Sequence, residues 1–521
     1  MTTTQDISRS QPAWTLIALF AGAKLLVQAI GLEGYGYFRD ELYYLASTEH
    51  LAWGYVDHPP LSIAALALVT WLFGEGQWAV RLVPALLGAA LVAVVGWMAA
   101  RLGGGRMAQA LAMTAALVAP MYLALHHFYS MNAWSLLFWA LASAVLLHAL
   151  DGGNERTWWL LGAVLGLGLM NKVDVLWLGA GLGVGLLFSG RHLLRTRGPW
   201  IAGVLSFLIF APHLIWQALN GWPTVEFVRN ASSNKMKTVA PLDYIGEQVM
   251  TMHPFTLPIW LAGLVFLLSQ PRFRIAGWIY PSVLLILVVN GTSRSGYLVG
   301  AYPLLFAAGG VALVSWLGRI PFGRERFARI AVPAYAVVLL AAGAFTAPLV
   351  LPVLSVEDYL QHAKRLGIEA STDERKEVGQ LPQFYADMFG WPELAAEVAR
   401  VADQLDAGER QETAIFVGNY GEAGAIRFFG QKYDLPPVLS GHNAHWMWGP
   451  DVIERHGLTG STVIVLGGSE ERHRRLFDRV ELAGRTQCEY CMPYENDVPI
   501  FIARDPKVDL LEAWPQIKHY D

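Results

Sequence analysis

The chain has 521 residues, 54% of them hydrophobic and only 15% charged, against roughly 25% charged in an ordinary soluble protein. Its formal net charge of −4 gives no ground for a nucleic-acid partner. The 20 Trp and 51 Gly, with a mean hydropathy of +0.37, point to a polytopic membrane protein, in which Trp anchors interfaces and Gly packs helices.

The first apolar stretch runs from Trp14 to Leu32. It is longer than a signal-peptide core of about 7–15 residues, and no clean small-x-small cleavage site follows, so it is predicted to be a retained signal-anchor. A span needs about 20 apolar residues, and further candidates are predicted at 78–100, 107–126, 132–150, 157–170, 174–188, 199–218, 254–269, 275–290, 298–317 and 328–350, of which 157–170 and 174–188 are short. That makes about eleven transmembrane helices. The stretch 61–73 is apolar but too short to cross, and is expected to lie in the interface or re-enter. The pair 157–170 and 174–188 is interrupted by Asn171-Lys172-Val173-Asp174.

Orientation follows the basic residues of short loops. Arg101 and Arg106, then Arg191, Arg195 and Arg197, then Arg272 and Arg274, and finally Arg319, Arg324, Arg326 and Arg329 fall on one side, predicted to be cytoplasmic. The N-terminus is then inside, and the loops at 33–60, around Lys172, at 219–253 and around Arg294-Tyr297 face outward. Residues 1–351 read as a transmembrane domain with an outer catalytic loop at 33–60. From 352 to 521 charges become frequent and no span follows, which predicts a soluble extracytoplasmic domain. Within it, Thr413 to Val417 and Ser461 to Leu466 are strand patterns leading into Gly-rich turns, the mark of a small α/β fold.

Ionisable groups at the end of a hydrophobic span are costly unless paired, so they mark candidate chemistry. Arg39-Asp40-Glu41 and Asp57-His58-Pro59-Pro60 are such a cluster. A carboxylate there can act as general base towards an acceptor hydroxyl; the alternatives are a salt bridge or a helix N-cap at the start of Glu41 to Ala46. Asp57 and His58 either hold the acceptor or help position Asp40, or else form a rigid turn stiffened by the prolines. A metal held by Asp40, Glu41, Asp57 and His58 is conceivable but not favoured, and no cofactor is expected.

Lys172 can hold a phosphate and stabilise its leaving charge, or pair with Asp174. Arg294 and Tyr297 are second candidates for the same phosphate. His126 and His127 read as interfacial polar groups beside Tyr129. Gly418-x-x-Gly421-x-x-Gly424 is an unconvincing anion-binding helix start, lacking the dinucleotide pattern. Ser440 to Gly449, rich in Trp, His and Asn, reads either as a sugar-stacking loop or as aromatic packing. Cys488-x-x-Cys491 suggests a local disulfide in an oxidising compartment rather than zinc.

Tyr37-Phe38-Arg39-Asp40-Glu41-Leu42-Tyr43-Tyr44 and Gly54-Tyr55-Val56-Asp57-His58-Pro59-Pro60-Leu61 resemble the first outer loop of family 39 glycosyltransferases of the GT-C superfamily. Those include protein O-mannosyltransferase-like and lipid A aminoarabinose transferase-like members. Met131-Asn132, Leu136-Leu137-Phe138-Trp139, Gly168 to Lys172 and Tyr297 to Tyr302-Pro303-Leu304 extend the likeness over about residues 14–320. Arg294-Ser-Gly-Tyr297 departs from it, since relatives commonly carry a lysine before a tyrosine pair.

The resemblance implies an inverting sugar transfer from a polyprenyl-phosphate donor to an acceptor hydroxyl of a protein, lipid or glycan, outside the cytoplasm and in the cell (inner) membrane. It implies Asp40 as base, with Glu41 and Asp57 in support. Arg39, His58, Lys172, Arg294 and Tyr297 would bind substrate. The competing readings are a lipid-linked sugar flippase or transporter, and a glycan polymerase or ligase. A transporter usually places its ionisable groups near the bilayer midplane, whereas the acids of this chain lie in loops.

Overall fold

The protein is described by a computed structural model covering residues 10–318 and 324–521; Arg319 of the basic loops lies outside the described residues. The chain divides into two compact units. One comprises residues up to Leu32, Trp78–Ile215 and Thr238–Ser355; the other comprises Glu33–Gln77, Trp216–Lys237 and Val356–Asp521. The division is therefore not a single cut near residue 351. The loop carrying Asp40 and Asp57 groups with the C-terminal α/β fold.

In the first unit every predicted apolar stretch is helical. Among the described residues five helices are long and apolar enough to cross a membrane: Gln77–Arg101, Met131–Leu150, Gly198–Leu219, Ser295–Leu317 and Phe327–Leu349. Pro241–Thr251 and Pro254–Ser269, bent by 90°, make a sixth if taken as one broken span. Other stretches form shorter helices for local reasons. The 107–126 run is interrupted at Ala119-Pro120, where proline ends one helix (Arg106–Val118) and opens the next (Pro120–Leu125). Backbone groups near that break find side-chain partners: Lys24 Nζ donates to the Tyr122 carbonyl and Gln28 Nε2 to that of Leu123, each at 3.0 Å.

Glycine permits one close helix crossing. A Cβ on Gly263 would fall 2.0 Å from the Leu305 carbonyl oxygen, and one on Gly309 would fall 1.8 Å from that of Ile259. Helices Leu257–Ser269 and Tyr302–Leu317 thus meet backbone to backbone, the small-residue packing expected where lipid removes the hydrophobic drive.

The second unit is built on a five-stranded sheet of β1 (Thr413–Val417), β2 (Val438–Ser440), β3 (Thr462–Leu466), β4 (Phe477–Arg485) and β5 (Pro499–Pro506), in the order β2-β1-β3-β5-β4. The first three strands are parallel; β5 runs antiparallel to β3 and β4 antiparallel to β5. Both predicted strands are present, as β1 and β3. β3 is buried along its whole length, as a central strand covered on both faces must be. The helix Tyr420–Phe429 follows β1 and packs on the helix Arg39–Ser47. Residues 61–73 form the helix Leu61–Phe73, 13 residues long and too short to cross.

Candidate active site

The helix Arg39–Ser47 presents the acid pair. Glu41 is fully buried, and its Oε2 accepts the Phe38 N–H at 2.9 Å, the backward reach of a capping residue at a helix start. Asp40, next to it, points elsewhere and is about a third exposed. Its Oδ1 accepts a hydrogen bond of 2.9 Å from the Tyr420 hydroxyl. The two acids thus separate: Glu41 fixes the helix start and Asp40 stays partly exposed.

Arg39 is held by several groups at once. Its guanidinium lies 3.4 Å from Asp387, 3.8 Å from Glu374 and 3.9 Å from Asp40, and it donates to the Tyr494 hydroxyl at 2.8 Å. Its backbone N–H donates to the Asp387 carbonyl, and the guanidinium sits over the Tyr420 ring at 5.3 Å. Burial pushes Asp387 up to about 6, with Arg39 opposing that rise. Burial likewise raises Tyr420, so its hydroxyl keeps its proton and remains a donor to Asp40. Lys235 adds a second cation, 3.9 Å from Glu374 and 6.0 Å from the Tyr420 ring centre.

Asp57 and His58 form the neighbouring wall. Asp57 Oδ1 accepts from the Tyr43 hydroxyl at 2.9 Å. His58 is fully buried, with Nδ1 3.0 Å from the Pro59 carbonyl oxygen and its ring stacked on Tyr44 at 4.8 Å. Its Nε2 is 3.9 Å from Asp57, too long for a hydrogen bond. The Tyr43 ring lies 4.8 Å from that of Tyr420, so one aromatic step joins the Asp57 and Asp40 positions. His445 and Trp448 pack against Tyr43 at 5.8 and 6.4 Å, and Trp448 also stacks on His50 at 4.3 Å. The Trp- and His-rich stretch 440–449 therefore builds an aromatic lining within this unit.

The glycine pattern at 418–424 has a packing role. A Cβ on Gly421 would lie 2.4 Å from Arg39 Cγ, and one on Gly424 would lie 2.8 Å from the Leu42 carbonyl. Asn419 and Glu422 cap this helix reciprocally, so its first amides are already occupied and no anion is needed there.

Among the described residues, the one group whose ligand atoms all lie within 4.8 Å of one another is His442, His519 and Asp521. The Tyr420 N–H points at His442 Nδ1 at 3.4 Å, and His442 Nε2 is 3.2 Å from Asp521 Oδ1. A neutral ring with Nδ1 accepting donates from Nε2 to Asp521, which makes a hydrogen-bonded pair without a cation. Asp40, Glu41, Asp57 and His58, by contrast, turn towards separate partners.

In the other unit, Lys172 Nζ donates to Asn132 Oδ1 at 2.8 Å and pairs with Asp174 at 3.2 Å. It also sits 5.4 Å from the Tyr297 ring centre. Asp174 in turn accepts from Ser135. Lys172 and Tyr297, far apart in sequence, are thus brought together, and Arg294 caps the 3₁₀ turn that carries Tyr297. Asn132 and Asp174 both hold the lysine, so the phosphate-binding and paired readings of Lys172 share one arrangement.

Tyr420, Tyr494, Glu374 and Asp387 join the cluster from distant sequence, and nothing in their local surroundings signals it. Tyr43 is different, since it lies inside the motif that carried the family resemblance.

Residues 57–216 match the family model described as dolichyl-phosphate-mannose-protein mannosyltransferase. No curated protein matches this chain in sequence. Among solved structures, ArnT from Cupriavidus metallidurans, bound to undecaprenyl phosphate, superposes with a TM-score of 0.61 at 16% identity over 94% of this chain and 98% of that one. The Archaeoglobus fulgidus oligosaccharyltransferase gives 0.52 at 10% identity over 87% of this chain and 68% of that one. The mycobacterial arabinofuranosyltransferase AftD gives 0.54 at 14% identity, covering 98% of this chain but 41% of the larger protein. Identities this low speak for fold alone. This chain shares the fold of these glycosyltransferase structures, and its residues 57–216 resemble the mannosyltransferase family model.

Proposed function

We propose that the protein is an inverting glycosyltransferase that moves one sugar from a polyprenyl-phosphate donor to an acceptor hydroxyl on the outer face of the cytoplasmic membrane. The observation that carries this reading is the state of Asp40: a partly exposed carboxylate with one oxygen tied to Tyr420 and the other open, beside a buried arginine–carboxylate cluster. Asp40 takes the acceptor proton as the acceptor oxygen bonds to the anomeric carbon. The bond from that carbon to the phosphate oxygen breaks, and its electron pair leaves with the polyprenyl phosphate. One base and no general acid suffice for such a displacement, because phosphate leaves readily.

Lys172 and Tyr297, with Arg294, are assigned to the donor phosphate, where a cation stabilises charge that grows as the bond breaks. The ArnT neighbour is bound to undecaprenyl phosphate, which supports a lipid-linked donor here. Asp57 and His58, tied to Tyr43 and the aromatic wall, are assigned to positioning the acceptor. The decisive variant is Asp40→Asn, with transfer measured as release of free polyprenyl phosphate by the purified, folded protein. Loss of transfer by at least about 100-fold is expected for a general base. Undiminished transfer would overturn the assignment.

A further inference from the structure

The two cysteines of the chain, Cys488 and Cys491, lie on a turn that packs on Gly390 and leads into Tyr494, and so adjoins two of the supports of Arg39. On one side Cys488 Sγ packs on Gly390: a Cβ there would sit 2.8 Å from it and 3.6 Å from Cys491 Cβ. Gly390 has φ +89° and opens the helix Trp391–Ala402, three residues after Asp387, the ion-pair partner of Arg39. On the other side the same turn runs through Met492 and Pro493 to Tyr494, which accepts from Arg39, and to Glu495, which accepts from Asn419. A shift of this short turn is therefore felt by two of the groups that fix the guanidinium beside Asp40.

The two sulfurs are arranged unequally. Cys488 is partly exposed and Cys491 is buried, and both are thiols. Cys488 Sγ accepts the Cys491 N–H at 3.2 Å, whereas Cys491 Sγ–H donates to the Cys488 carbonyl. We propose that Cys488 and Cys491 are a dithiol–disulfide site, with Cys488 as the attacking sulfur and Cys491 as the resolving one, and that closing the disulfide resets the Tyr494 and Asp387 supports of Arg39.

Hydrogen bonds to Cys488 favour its thiolate, while the same neighbour and burial push Cys491 up, which is the division of labour such a pair needs. The Cys488 thiolate attacks one sulfur of an oxidising disulfide, forming a mixed disulfide and expelling a thiolate. Cys491 gives its proton to water and attacks Cys488 Sγ, closing the intramolecular bond and expelling the second thiolate. Two protein thiols lose two electrons, and the reagent disulfide becomes two thiols.

The consequence for transfer rests on the role proposed for Asp40, whereas the redox site does not. The test uses the full-length protein, equilibrated with oxidised and reduced glutathione at a series of ratios, then quenched and analysed by peptide mass spectrometry. Hydrogen exchange at the Arg39 amide, which donates to Asp387, is followed in the same samples.

The expected result is a single transition to a 488–491 disulfide. Cys488 should alkylate about tenfold or more faster than Cys491 in the reduced protein, and protection at Arg39 and Tyr494 should change with the transition. Absence of the disulfide at every ratio, equal alkylation, or formation without a change at Arg39 would overturn the proposal. Wild-type protein suffices for these readings. Cys491→Ser should trap the mixed disulfide with glutathione, and failure to trap it would remove Cys488 as the attacking sulfur. The same titration on Asp40→Asn separates the two claims, since a normal redox response there stands whether or not Asp40 is the base.

Discussion

The Tyr420 hydroxyl donates to Asp40 Oδ1 at 2.9 Å from a helix that begins 380 residues later in the chain. The Tyr420 ring packs against both the Arg39 guanidinium and the Tyr43 ring, which limits how far its hydroxyl can turn away. The bond orients the carboxylate and aims its other oxygen. Tyr420→Phe is therefore expected to reduce kcat by about tenfold with KM little changed. An unchanged kcat in a variant that has lost stability would show that the tyrosine only packs.

Glu41 gives the contrasting result. It caps the helix that carries Asp40, and a glutamine oxygen can accept the Phe38 N–H as well as a carboxylate can. Transfer by Glu41→Gln is expected to stay within a few-fold of wild type, while Glu41→Ala loses about 0.5–2 kcal/mol of stability. Thermal unfolding and transfer assays on both variants check this. Loss of activity in a fully stable Glu41→Gln would return this acid to the chemistry.

How far the site can be read in sequence depends on the range of the interaction. Asp40, Asp57 and Tyr43 fall within one short stretch, where costly charges beside an apolar run betray them. Glu374, Asp387, Tyr420 and Tyr494 act only once folding has closed the unit around Arg39, and each looks locally like any polar loop residue. Helix positions are legible because apolar runs have few alternatives in lipid. Their continuity is less so: Pro120 and the bend between Thr251 and Pro254 split runs that composition alone joins. The glycines at 421 and 424 resemble a ligand loop in sequence because close approach to phosphate and to another helix make the same demand, namely no Cβ.

That demand is testable at Gly424. Its Cβ would meet the Leu42 backbone at 2.8 Å, and backbone cannot rotate aside as a side chain can. Gly424→Ala should force the helices Tyr420–Phe429 and Arg39–Ser47 apart by a few tenths of an ångström and cost about 1–3 kcal/mol. The favourable helix propensity of alanine recovers only part of this. Because Tyr420 rides on the displaced helix, transfer should fall along with stability. A variant as stable and active as wild type would mean that the two helices are not held this closely.

Lys172 and Asp174 can be told apart by which kinetic constant moves. The lysine is held by Asn132 and Asp174 at 2.8 and 3.2 Å. If its charge serves the donor phosphate, Lys172→Met weakens both ground-state binding and leaving-group stabilisation, so kcat/KM for the donor should drop by about 100-fold. Asp174→Asn removes a competing anion while keeping a polar partner for Ser135, and should lower donor KM or leave it unchanged. Equal losses in the two variants, accompanied by lost stability, would assign the pair to structure.

The buried carboxyls Glu422 and Glu495 predict how stability responds to pH. Burial raises both, and the charge of Glu422 raises Glu495 again, so the pair tends to hold a proton. For an acid whose pKa is higher folded than unfolded, the folded state binds the proton more tightly. Its stability is greatest below the unfolded value of 4.5 and falls as pH rises above that. The unit should therefore lose stability steadily between about pH 5 and about pH 8, opposite to the trend of a protein whose carboxylates are held by salt bridges. Glu495→Gln mimics the protonated form, can still accept from Asn419, and should flatten this decline, unfolding at higher temperature than wild type at about pH 8 and close to it at about pH 5. Parallel pH profiles for variant and wild type would show that the pair ionises freely.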